Sequence, residues 1–108
     1  MAEAASVVWE FLHDAVLGHV SVDWEAGTAT LTLYSCEDPS RTIDVKDEGL
    51  RALLLPRREP WGQGGVTSVN DMRQSPTSDG GIHLDIEMQS GDHIEVDARR
   101  ISVSPAQP

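Results

Sequence analysis

Cysteine is nearly absent from this chain: Cys36 is the single one among 108 residues. One thiol closes no intramolecular disulfide, which suits a reducing compartment and points to the cytoplasm. Positive charge is scarce too. Eight Lys and Arg stand against 18 Asp and Glu, for a formal net charge of −10. Such a surface repels nucleic acid and anionic membranes, so neither is expected as a partner, whereas basic proteins and divalent cations are attracted. No apolar run reaches the ~20 residues of a membrane span, and no basic start followed by an apolar stretch marks a signal peptide. Phosphate-binding and nucleophile signatures are missing as well. The glycines at 62, 64 and 65 have no GKS/T and no strand–GxGxxG–helix setting, and no GxSxG occurs.

What remains is enough for one domain, residues 1–108, around one core, since 39% of the residues are hydrophobic. Residues 82–98 alternate strictly on both sides of Gly91. Ile82, Leu84, Ile86 and Met88 take one face with Ile94, Val96 and Ala98. His83, Asp85, Glu87, His93, Glu95 and Asp97 take the other. Period-2 alternation around a glycine turn predicts a half-buried β-hairpin. With Gln89-Ser90-Gly91 as the loop, Ile86 faces Ile94 and Leu84 faces Val96. Outside, Glu87 opposes His93, Asp85 opposes Glu95 and His83 opposes Asp97. A shift of two residues would oppose more like charges, at ~0.2–1 kcal/mol each, and is disfavoured.

Elsewhere the patterning predicts a short helix over 4–15 and strands over 16–24 and 29–34 joined by a turn at 25–28. That hairpin is expected to set Val22 opposite Leu31. Further strands are expected over 41–45, 50–55 and 66–73, with a polar turn at 46–49 and loops at 56–65 and 75–81; 99–103 continues the last strand. The fold class is therefore mainly β: an antiparallel β-sandwich or open barrel of about seven strands with one short N-terminal helix. Val20, Val22, Trp24, Leu31, Leu33, Ile43, Leu53, Ile82, Leu84, Ile86, Ile94 and Val96 are the expected core.

Three places could carry chemistry. The hairpin face offers His83, Asp85, Glu87, His93, Glu95 and Asp97 as metal ligands, and neutral imidazole with carboxylate suits Zn, Mn or Fe(II). The plain reading of the same residues is a solvated face that blocks edge pairing. Trp61, in the Gly-rich loop beside Arg57 and Arg58, is either an interface anchor or a plug for the core. His13 and Asp14 are adjacent, so their side chains diverge if the segment is helical.

The order His13-Asp14, then Val-Asp-Trp-Glu-Ala-Gly-Thr (22–28), Arg-Arg-Glu-Pro-Trp-Gly (57–62) and Ser68-Val69-Asn70, resembles a group of small uncharacterised bacterial proteins. Some of these are described as predicted immunity proteins, which neutralise toxins. Gln63-Gly64 stand where that group has Pro-Ser. The resemblance implies no established chemistry. The expectation is a non-enzymatic acidic binding protein acting through a protein interface, of immunity type, with a basic partner and no cofactor. The alternatives are a small metal-dependent enzyme using the hairpin face and a self-associating domain that forms a homodimer through an edge strand or the Trp61 loop.

Overall fold

The computed structural model describes residues 15–35, 38, 40–56 and 68–105. Six strands follow one another: β1 (Val16–Asp23), β2 (Thr28–Tyr34), β3 (Thr42–Leu54), β4 (Val69–Pro76), β5 (Ile82–Met88) and β6 (His93–Pro105). They form one antiparallel sheet in the order β1-β2-β3-β6-β5-β4. Two stacked sheets are not formed. Among the described residues its edge strands meet at an antiparallel bridge between Val16 and Ser68, where the Val69 N–H donates to the Ala15 carbonyl at 2.8 Å. The sheet curls but does not close. The helix expected over 4–15 lies outside the described residues except for Ala15, which is buried ahead of β1.

Alternation builds the core. Ala29, Leu31 and Leu33 on β2, Ile43 and Val45 on β3, Leu84, Ile86 and Met88 on β5, and Ile94, Val96 and Ala98 on β6 are all buried. With Val69 and Ala15, all but Ala29 make a single hydrophobic cluster. Each buried aliphatic side chain contributes roughly 1.5–3 kcal/mol by leaving water. The 82–98 hairpin takes the expected register, with Ile86 opposite Ile94 and Leu84 opposite Val96. Gly91 sits at φ 96°, and its N–H donates to the Met88 carbonyl at 2.9 Å, as a three-residue loop requires.

Among the described residues there are six strands, against about seven expected. The segments 41–45 and 50–55 are one strand, because residues 46–49 continue it instead of turning. Asp47 follows Ile43 and Val45 inward, so a polar stretch that reads as a turn is a strand with a buried carboxylate. Gly49 makes the continuation possible. It takes φ 63°, and a Cβ there would come within 2.7 Å of the Arg99 side chain. Just beyond it the β3–β6 register slips between Leu50 and Ala52, marking a bulge. β4, expected to end at 73, runs on through Pro76.

The first hairpin is also corrected. Val20, not Val22, lies opposite Leu31, and Val22 pairs with Ala29. The chain turns one residue earlier than expected, over 24–27, closed by the Gly27 N–H on the Asp23 carbonyl at 2.9 Å. Trp24 therefore falls in the turn and is 88% exposed, and Val22 is exposed beside it. Val20, Leu53 and Ile82 are partly buried at the border of the core.

Candidate functional site

Two surfaces stand out. The first is the outer face of β4, β5 and β6. Because directly paired residues share a face, Asp71, Arg73 and Ser75 on β4 lie beside Glu87, Asp85 and His83 on β5. These in turn lie beside His93, Glu95 and Asp97 on β6. The six hairpin residues thus share one surface, and Asp71 and Arg73 extend it.

The contacts run partly along diagonals. His83 Nδ1–H donates to Asp97 Oδ1 at 2.5 Å, and its Nε2 lies 3.5 Å from Glu95 Oε1. His93 Nδ1–H donates to Asp85 Oδ1 at 2.9 Å, reaching past its direct partner Glu87. The register opposes Asp85 to Glu95, two like charges. Each imidazole reaches toward one member of that pair, which relieves the repulsion. The same arrangement raises both histidine pKa values. The hydrogen bond to Asp97 is the main cause for His83, and the hydrogen bond to Asp85 is the main cause for His93. Arg73 Nε donates to Asp71 Oδ2 at 3.0 Å along the same strand.

This face is flat. Its hollow among Asp71, Arg73, Asp85, Glu87 and His93 measures about 10 Å³, at the lower limit for a single water. Among the described residues, no group of three or more His, Cys, Asp and Glu side chains converges to hold a metal ion. Both ring nitrogens of His83 and Nδ1 of His93 lie beside carboxylates.

The second surface is apolar. A groove of about 530 Å³ opens between the β1–β2 turn and the later part of β3, lined by Val22, Trp24, Leu50, Ala52 and Leu53, with Arg51 at its side. Leu54 and Leu55 are exposed just beyond. β2 pairs with β3 only as far as Glu48, and the last bond there is the Leu50 N–H to the Gly27 carbonyl at 2.8 Å. From Arg51 to Leu54, β3 has a strand partner on one side alone among the described residues, namely β6. Arg51 is neutralised by an ion pair with Asp79.

A third feature is internal. Asp47 has no exposed surface, and among the described residues neither carboxylate oxygen has a hydrogen-bond partner. Burial raises its pKa to about 7. Sequence reasoning missed both Asp47 and the β3 groove. The signal for Asp47 was its place two residues after Val45 in an inward alternation. The groove had no local signal, since it exists because β2 ends while β3 continues. Trp61, Arg57 and Arg58, and likewise His13, Asp14 and Cys36, lie outside the described residues.

Among the described residues, no helix is long and apolar enough to cross a membrane. No family model matches the chain, and no curated protein is significantly similar to it. Among solved structures, an uncharacterized protein from Neisseria gonorrhoeae has a similar fold, with a TM-score of 0.66 over 86% of this chain and 92% of that one. The two share 14% of their residues, so the likeness concerns fold alone.

Proposed function

We propose that this chain is a non-enzymatic binding protein that acts through a protein interface and takes a basic partner. The carrying observation is the outer face of β4, β5 and β6: flat, half-exposed and anionic, with its imidazoles committed to carboxylates. Catalysis by carboxylate and imidazole calls for a recess in which groups converge on one reacting atom, and this face has almost none. A shallow face of net negative charge suits a broad complementary surface and fast, salt-sensitive association. The net charge of −10 works in the same direction. An immunity-type inhibitor of a basic toxin, working in the cytoplasm, is the specific form suggested by the sequence resemblance and the lone Cys36.

The test is affinity capture from a lysate of the source organism, with the parent chain and with an Asp85→Asn/Glu87→Gln/Glu95→Gln variant. A basic protein retained by the parent and lost by the variant supports the reading. Calorimetry supplies the contrary outcome. Saturable Zn²⁺ or Mn²⁺ binding that His83→Ala abolishes, with no protein partner captured, favours the metal-dependent alternative.

A further inference from the structure

We propose that the edge of β3 from Arg51 to Leu54, unpaired among the described residues and facing Trp24 across the groove, takes an extended cationic segment of the partner protein as an added strand. This deepens the interface reading, on which it rests, by naming the chemistry of the segment and how it is held. Three observations meet at this place. β2 stops pairing at Glu48 while β3 runs on to Leu54, so strand-shaped room is left in line with β2. At ~3.3 Å per residue, the stretch from Arg51 to Leu54 accommodates about four residues of an added strand. Its backbone groups supply the ladder bonds by which peptides augment a sheet edge.

The groove beside that edge is apolar and roomy, at about 530 Å³, and Trp24 stands over it 88% exposed. An added strand alternates, so half of its side chains enter the groove against Val22, Leu53 and the Trp24 ring. The other half lie on the outer face, next to Ala52 and Leu54. Ala52 is directly opposite Asp97, and Leu54 is opposite Glu95. The small side chain at position 52 leaves the way open for a Lys or Arg of the added strand to reach toward those carboxylates.

Charge selects the occupant. Asp23 and Glu25 are exposed at the Trp24 end, and among the described residues the one cation lining the groove, Arg51, is paired with Asp79. A second copy of this chain would bring another formal charge of −10 to the same place. A cationic segment meets attraction instead.

The experiment uses the full chain, ¹⁵N-labelled, with two synthetic hexapeptides as probes, one alternating Lys and Val and the other Glu and Val. The Lys–Val peptide is expected to slow exchange of those 51–54 amides that point away from β6 and to shift the Trp24 indole resonance, and the Glu–Val peptide to do neither. Trp24→Ala, at an exposed turn, and Ala52→Lys, which places a cation on the path, should each weaken binding by about tenfold. Four results overturn the proposal. Perturbation confined to the outer face of 83–97 removes the groove but leaves the interface reading standing. No perturbation anywhere removes the groove, and the capture experiment then decides the interface reading separately. Protection, in a free chain that sediments as a dimer, of those 51–54 amides that point away from β6 assigns the edge to a second copy. The same protection in a free monomer assigns it to the chain itself.

Discussion

Asp47 is the residue at which sequence, packing and solution behaviour are most tightly joined. Its alternation carries it inward after Val45, and among the described residues no partner meets it there. Burial favours the protonated form, so the folded-state pKa, about 7, lies above the unfolded value near 3.8. The sign of the linkage follows. The stability that Asp47 contributes in its protonated form is fully present below the unfolded pKa, declines as pH rises and is gone above about 7. The difference is on the order of 4 kcal/mol at most. Asp47→Asn keeps the shape without the ionisation. Denaturant titrations at pH 5 and pH 8 should show a gain of the variant over the parent that is larger at pH 8 than at pH 5. A parent whose stability is unchanged over that range would remove the argument. His83 and His93 act in the same sense, since their raised pKa values add stability that is lost as pH rises through them. Proton NMR should place both midpoints above the usual histidine value, and Asp97→Asn should lower that of His83.

Elements are decided by how local pattern and tertiary pairing agree. The 82–98 hairpin was fully legible, because strict alternation, a glycine in the left-handed turn position and charge opposition all selected one register. Ile86 is buried at its centre, and Ile86→Ala should lower stability by ~2–5 kcal/mol in denaturant titration. The six hairpin site residues came together as expected for the same reason. β3 was legible only in halves. Lys46, Asp47, Glu48 and Gly49 have turn composition, and it is pairing with β2 and β6 that holds them extended. Gly49→Val introduces a side chain at φ 63° and against Arg99. It should destabilise by at least ~1–3 kcal/mol, and a neutral effect would show that the positive φ is dispensable. Trp24 was misplaced by one step of strand alternation, because an apolar ring after Val22 reads as the next inward residue. The gap left beside β3 is a property of pairing order, which local periodicity does not encode.

For the whole molecule, charge and shape act together. A six-stranded curled sheet carries both a carboxylate-rich outer face and an apolar groove, which would give the proposed basic partner a steering field and a place to anchor. The most direct measurement is the association rate of the chain with the partner it captures, followed in stopped flow as ionic strength rises from about 0.05 to 0.5 M, a range over which screening removes most long-range attraction. The account predicts that the on-rate falls by about tenfold or more while the off-rate changes little, and that Asp85→Asn/Glu87→Gln/Glu95→Gln loses most of that salt dependence. An on-rate indifferent to salt, or a variant with the parent's salt dependence, would contradict it.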